Sequence, residues 1–291
     1  ITIWAFKDGK KGHEKQIEAL ISEFEKHKRI NLHNFTEYQN HDSMPDIILG
    51  AGNSSHRHML KAKKNCQGAK TIVLMKPSLR LTQCFDIAIV PDMDKYYLGK
   101  PKNVISTKGV LSKYSDQKIN KKTGLMVIGG KSRHFHFRKK VVQQQIEWLL
   151  NDKFDGYQWK ITTSPRSPNM PTPKHKGNAE FFNWKETSSD WLSNEMQKNE
   201  ITFITPESVS VLYEALSTKT KVYVFHNEKH AGEHGESSTK VNKNIDRLKR
   251  GGSLGYINTK RFLLSRSIKD IDLIHPQKNI HLKEVKRVVE E

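Results

Sequence analysis

Short apolar runs alternate with segments of helical period from one end of this chain to the other, and that alternation restricts its fold more than any other feature. "ITIWAF" (residues 1–6) reads as a buried strand, and "DGKKGHEKQ" (8–16) as a glycine-bearing turn opening a helix. Ile17, Leu20, Ile21 and Phe24 then recur at i, i+3, i+4 and i+7, which is one apolar helix face. Strand, turn and helix in repeated succession predict a parallel α/β sheet.

The same pattern places strands at 1–6, 32–35, 46–49, 71–75, 86–90 and 104–106, with helices near 14–27 and 55–63. Residues 113–124 are polar, charged and without apolar period, so they read as a linker. "LMVIGG" (125–130) restarts the pattern, and Val141, Val142, Ile146, Leu149 and Leu150 mark the next helix. Further strands are expected at 157–162, 179–182, 201–204 and 222–225, with helices near 190–197, 206–217, 241–249 and 282–290, and a Pro-rich loop at 164–176. The division that follows is a first Rossmann-like domain over 1–112, a linker, and a second over 125–275. The helix in 276–291 is expected to pack back on the first domain. Ligands of such sheets sit beyond the carboxyl ends of the strands, so two domains facing a cleft are expected.

The formal net charge is +19. Such a surplus favours polyanionic partners such as acidic lipid headgroups, phosphorylated glycans or nucleic acid. Basic residues are scattered rather than gathered in a tail, and no aromatic RNA-binding signature accompanies them, which places nucleic acid last. Cys66 and Cys84 cannot build a disulfide framework or a four-cysteine metal site, which suits a reducing cytoplasm. Among the 14 histidines no HExxH occurs, and the pairs His56/His58 and His134/His136 read as surface residues at helix starts. No apolar run approaches about 18 residues, so membrane association is expected to be peripheral.

Three strand ends in the second half carry anion-friendly residues. "GGKS" (129–132) is a turn in which Gly129 and Gly130 let backbone amides approach a ligand, with Ser132 beside them. "TTSPRS" (162–167) supplies Ser164 and Arg166, the latter suited to a bidentate diphosphate contact. In "ITPESVSVLYEAL" (204–216), Thr205 is expected to cap a helix with Pro206 at its first position and Glu207 complementing its dipole. Ser208 and Ser210 then offer hydroxyls at the helix start, and Glu214 lies one turn beyond Ser210. Together they predict a nucleoside-diphosphate ligand. In the first half, Asp8 and His13 lie at the end of strand one and are the candidate catalytic base, His13 with Asp8 beside it. Gly12 and Gln16 continue that turn, and Asn53 and Ser54 follow the third strand. Asp92-Met-Asp94 has the letters of a metal-binding DxD but follows a strand of the first domain, where it is expected to shape an acceptor rim.

With "GAGNSSH", "TIVLMKPSL", "FDIAIVPDMD", "NVISTKGVL", "VIGGKSRHF" and "FFNWKETSSDWL", these blocks resemble in order those of the elongated-mitochondria (mitochondrial fission) family over about residues 1–225. Bacterial members of that family are described as glycosyltransferases. The resemblance implies a GT-B fold whose second domain binds a nucleotide sugar. On the matching positions Gly129, Gly130, Ser132, Ser164, Arg166, Ser208, Ser210 and Glu214 line the donor site, with Glu214 as a ribose ligand. Gly12, Gln16, Asn53 and Ser54 belong to the acceptor side. No obligatory metal is implied, and Lys219-Thr220 stands where many such enzymes have Gly-Lys-Pro. The expectation is a cytoplasmic glycosyltransferase, peripheral at the membrane, acting on a lipid-linked or lipopolysaccharide-type acceptor. The rival readings are a sugar-nucleotide epimerase or hydrolase on the same fold, and a non-catalytic membrane adaptor.

Overall fold

The structure is a computed structural model and describes residues 1–94, 96, 99–229, 239–261 and 268–291. The chain divides into two compact units, Ile1–Tyr114 with Leu282–Glu291, and Ser115–His281.

The first unit contains β1 (Thr2–Phe6), α1 (Lys11–Phe24), β2 (Asn31–Phe35), β3 (Ile47–Ala51), α2 (Asn53–Asn65), β4 (Lys70–Leu74), α3 (Leu79–Thr82), β5 (Ile87–Pro91) and β6 (Val104–Thr107). Its six strands form one parallel sheet in the order β2-β1-β3-β4-β5-β6. Side chains alternate across β1, as the period of two in a strand requires. Ile3 and Ala5 join Ile17 and Leu20 of α1 and Val285 and Val288 of the C-terminal helix, Glu284–Glu290. Trp4 and Phe6 point the other way, into a cluster with Met59 and Ala62 of α2. A strand apolar on both faces, covered by helices on both, is the arrangement a buried parallel sheet needs.

The second unit contains β7 (Asn120–Val127), β8 (Phe135–His136), α4 (Lys139–Trp148), β9 (Gln158–Thr162), β10 (Ala179–Phe182), α5 (Trp191–Lys198), β11 (Asn199–Ile204), α6 (Val209–Leu216), β12 (Lys221–Val224), β13 (Glu228–Lys229), α7 (Lys240–Arg250), β14 (Gly255–Arg261) and β15 (Ile268–Ile274). Seven strands run in the order β10-β9-β7-β11-β12-β14-β15, parallel except for the last pair. Met126, Val142, Ile146, Trp159, Phe203 and Tyr223 share one core, with Phe203 stacked on Tyr223 at 4.7 Å between centroids. The strand order reverses direction between β1 and β3 in one sheet and between β7 and β11 in the other. These are the two crevices where open α/β sheets hold ligands.

Several expectations need correction. Residues 120–124 are not linker, because β7 begins at Asn120 between β9 and β11. The side chains of 120–123 overhang the core and are exposed or half-buried, so the strand carries no apolar signal there. The second unit extends to His281 rather than 275. Phe135–His136 is a strand paired antiparallel with β13, not a helix start. His56 is not a surface residue: it is buried with its ring 5.3 Å from that of Phe85, and burial lowers its pKa. The hairpin β14–β15 was not foreseen, since its strands mix charged residues with the apolar Ile257 and Leu273.

Gly124 lies in β7 against Trp159, where a Cβ would fall 2.3 Å from the indole. Trp159 is itself buried and has no room to retreat. Gly124→Ala is therefore expected to cost about 1–3 kcal/mol, read as a lower urea midpoint with the circular dichroism of the folded state preserved.

Candidate functional site

Because β7, β9 and β11 run parallel and adjacent, the turns leaving them converge. The Gly129 N–H donates to Thr205 Oγ1 at 2.7 Å, and the Gly130 N–H donates to Glu207 Oε1 at 3.0 Å. A Cβ on Gly129 would lie 1.5 Å from Glu207 Oε1, and one on Gly130 would lie 1.7 Å from the Arg166 carbonyl oxygen. Both positions therefore need glycine for close approach. The two amides are engaged inside the protein, which replaces the expected amide cradle for a phosphate. The glycines instead let three loops meet.

Ser132 likewise turns inward, its Oγ accepting the amides of His134 and Phe135, both at 3.1 Å. Ser164 Oγ lies 3.1 Å from Ser167 Oγ and accepts the Arg166 amide at 3.3 Å. Ser167 Oγ donates to the Ile128 carbonyl at 2.6 Å, tying this loop to the end of β7. The loop thereby fixes the stem of Arg166, whose Nη2 donates to Ser208 Oγ at 3.0 Å. Ser208 is the N-cap of α6, so the guanidinium stands at a helix start whose first amides lack intrahelical acceptors. The helix dipole adds positive potential at the same place. Ser210 is exposed on the first turn. Glu214 follows at i+4, half-buried, and accepts a hydrogen bond from Ser193 of α5.

Glu207 does not act at a helix start, because α6 begins two residues later at Val209. It is 6% exposed, with Oε1 bonded also to the Thr205 hydroxyl at 3.0 Å and Oε2 buried without a hydrogen bond. Burial pushes its carboxyl above the ordinary value, against the lowering pull of its own amide, Thr205, the Gly130 amide and Arg166.

In the first unit, the β1/β3 crevice brings Asp8, His13, Gly52 and Ser54 together. Asp8 Oδ2 is 2.8 Å from His13 Nδ1 and accepts the Ser54 hydroxyl at 3.2 Å, while Oδ1 accepts the Lys10 amide at 3.1 Å. The Asp8 side chain is 1% exposed and that of His13 18%. A Cβ on Gly52, whose φ is +82°, would sit 2.5 Å from the His13 ring, so glycine lets the imidazole lie over the β3 turn. Burial alone would raise the Asp8 pKa; the His13 hydrogen bond, the Lys10 amide, the His13 charge and the Ser54 hydroxyl outweigh it and hold Asp8 below its ordinary value. A carboxylate at Nδ1 fixes that nitrogen as the donor and leaves Nε2 as the basic atom. Gln16 is buried and donates to the Gly12 carbonyl at 3.1 Å, so it braces the turn rather than meeting a ligand. Asn53 is exposed at the start of α2.

Thr205, Glu207, Gly52 and Ser193 are site residues whose roles sequence reasoning missed. Each acts through a contact between segments distant in sequence, although Thr205 and Glu207 belong to "ITPESVSVLYEAL" and Gly52 to "GAGNSSH", and only Ser193 lies outside the motifs quoted above. Among the described residues no group of three or more His, Cys, Asp or Glu is placed to hold a metal ion. Asp92 and Asp94 occupy a 3-10 turn after β5.

The two carboxyls have opposite linkage to pH. Asp8, lowered in the fold, contributes stability that is full above the ordinary carboxylate value and fades as pH falls through its lowered one. Asp8→Asn should cost about 1–3 kcal/mol near pH 7, with the gap to the parent closing in acid. Glu207, raised in the fold, favours the folded state more as pH falls from neutral through its raised value. Glu207→Gln should be as stable as the parent or more so near pH 8, and lose that advantage near pH 5. Urea titrations of the parent and both variants across pH check both signs.

The family described as Mitochondrial fission ELM1 matches residues 11–287. No match was found among curated proteins. Among solved structures, the glycosyltransferase SnogD from Streptomyces nogalater is similar with a TM-score of 0.53 at 7% identity, over 87% of this chain and 85% of that one. UDP-GlcNAc 2-epimerase from Methanocaldococcus jannaschii is similar with a TM-score of 0.52 at 8% identity, over 99% of this chain and 98% of that one. The glycotransferase of kitacinnamycin gives 0.50 at 9%, over 88% and 86%. These likenesses bear on the fold, and with the two parallel-rich α/β units they show it to be GT-B. With its match running across nearly the whole chain, this protein belongs to the mitochondrial fission ELM1 family.

Proposed function

We propose that this protein is a glycosyltransferase, moving a sugar from a nucleoside-diphosphate donor to a lipid-linked or lipopolysaccharide-type acceptor. The observation that carries this reading is Arg166 held on Ser208 at the start of α6. A guanidinium, a hydroxyl and free helix amides at one point suit a diphosphate, and they meet its growing charge as the sugar leaves. Glu214, on the Ser210 side of the same helix, accepts the ribose hydroxyls in this reading. Gly129, Gly130, Ser132 and Ser164 hold the loops that present these groups.

In transfer, the acceptor oxygen bonds to the anomeric carbon while the bond from that carbon to the diphosphate oxygen breaks. The electron pair of the broken bond leaves with the diphosphate, and the acceptor proton goes to the base. His13 Nε2 is the base we assign, with Asp8 stabilising the imidazolium that results. Charge on the leaving group is met by Arg166, Ser208 and the helix start, so no resident metal ion is assigned.

The +19 charge supports an anionic acceptor and a peripheral place at the cytoplasmic face of a membrane. Among the described residues no helix is long and apolar enough to cross a membrane. An epimerase is the second reading, favoured by the near-complete overlap with the archaeal enzyme. Product analysis separates the two, since a transferase yields a glycosylated acceptor and an epimerase an isomeric nucleotide sugar.

Arg166→Ala is expected to weaken donor binding about tenfold to a hundredfold, and Glu214→Ala to abolish it, both with folding intact. A thermal-shift screen of nucleotide sugars checks this, and the absence of any shift in the parent would remove the donor reading. His13→Ala should leave donor binding unchanged and lower turnover about 10²–10⁴-fold. Normal turnover in that variant would remove His13 from the mechanism.

A further inference from the structure

The second unit holds a cavity of about 530 Å³ beyond the ends of β11 and β12, bounded by the β8–β13 ribbon and α7. Its volume lies within the roughly 300–1,000 Å³ of small-molecule sites. The lining is mixed. Phe225 and Ile245 supply apolar surface, His136 and His226 imidazoles, and Lys229 and Lys249 ammonium groups. Glu228 is the only acid among the described residues that line it.

Two of these charges are answered at close range, Glu228 by Arg138 at 2.7 Å and Lys229 by Asp246 at 2.6 Å. Lys249 is different. Among the described residues no carboxylate pairs with its Nζ and no acceptor takes a hydrogen bond from it; the ammonium stands over the Tyr256 ring, 4.5 Å from the centroid. A ring face attracts a cation but is a poor substitute for an oxygen acceptor. The residue is half-buried, and Nζ, unlike the sealed side-chain amide of Asn227, keeps surface that a ligand can reach. Burial pulls its pKa down to about 8, with Asp246 opposing that shift at longer range and Lys229 adding to it. A cation so poorly solvated disfavours the fold until an anion meets it.

From this unanswered ammonium in a basic-lined cavity, we propose that the cavity is a phosphate-binding site, separate from the Arg166–Ser208 anchor, with Lys249 as the cation that holds the phosphate. Such a site is independent of the nucleotide-sugar reading. A phosphate group brings the negative charge that Lys249 lacks, and it carries more acceptor oxygens than one ammonium can use. Those left over suit the imidazoles of His136 and His226 in the same wall. A neutral ligand would fill the space and leave the ammonium unpaired. Two sources offer this chemistry, a phosphorylated sugar and free phosphate. The volume and the Phe225 and Ile245 surfaces favour the sugar, whose ring carbons cover apolar wall that a bare phosphate leaves open.

The test titrates glucose 6-phosphate and inorganic phosphate calorimetrically into the parent, Lys249→Met and Lys249→Arg at pH 7, with and without saturating UDP. The parent should bind, Lys249→Met should bind about tenfold to a hundredfold more weakly, and Lys249→Arg should restore most of the affinity because it keeps the charge. Binding should persist in the presence of UDP and in Arg166→Ala. Tighter binding of glucose 6-phosphate than of inorganic phosphate assigns the site to a phosphorylated sugar, and equal binding assigns it to free phosphate; both support it. No binding of either probe to the parent, or undiminished binding to Lys249→Met, would overturn the proposal. Loss of binding in Arg166→Ala, or displacement by UDP, would also overturn it by moving the phosphate to the diphosphate anchor. Titration of UDP alone reports on the donor reading separately, so the two can fail independently.

Discussion

The second unit's candidate site depends on the bonding of two glycine amides, Gly129 and Gly130, to Thr205 and Glu207. These amides lie at the end of a central strand, where parallel hydrogen bonding stops and each N–H needs a new acceptor. Supplying the acceptors from the neighbouring strand's turn locks β7 and β11 together at the crevice where the sheet reverses. The cost is a carboxyl buried to 6% exposure with one oxygen unpaired. Its result is a fixed platform on which the Ser164–Ser167 loop rests and from which Arg166 reaches Ser208.

The first unit solves the corresponding problem with opposite electrostatics. At its own crevice a carboxyl is again set beside a glycine whose Cβ would collide, here Asp8 and Gly52. Asp8 gains a histidine, a hydroxyl and an amide, and its charge is favoured; Glu207 is buried with one oxygen lacking a hydrogen bond, and its charge is disfavoured. One arrangement orients an imidazole, and the other seals a loop. The difference comes from the partners, not from the place in the fold.

The sequence made the parallel α/β architecture legible because buried strands such as β1 and β4 are apolar on both faces and helix α1 keeps a clean apolar stripe. It was silent where those signals fail. The first residues of β7 are polar or charged because they overhang the core, and β14 and β15 carry charged residues through an edge hairpin. At the strand ends, residue types singled out Arg166, Ser208, Asp8 and His13, and the structure brings Arg166 to Ser208 and Asp8 to His13. The hydrogen bonds that divert Gly129, Gly130, Ser132 and Gln16 to structural work were not legible, because each is set by a partner's position rather than by local pattern. Glu207 shows the limit well: in letters it is a helix-start acid, and only the bond to a residue 77 positions away reveals a latch.

The C-terminal helix returns to the first unit, where Val285 and Val288 complete a core begun by Ile3, Ile17 and Leu20. During synthesis that core stays open until the whole second unit has left the ribosome. The second unit, continuous in sequence, can close first. The emerging first unit must meanwhile carry an uncovered apolar face on α1, so vectorial synthesis favours completion of the later unit before the earlier one. A nascent chain stalled within the second unit would expose that face, the kind of surface chaperones recognise.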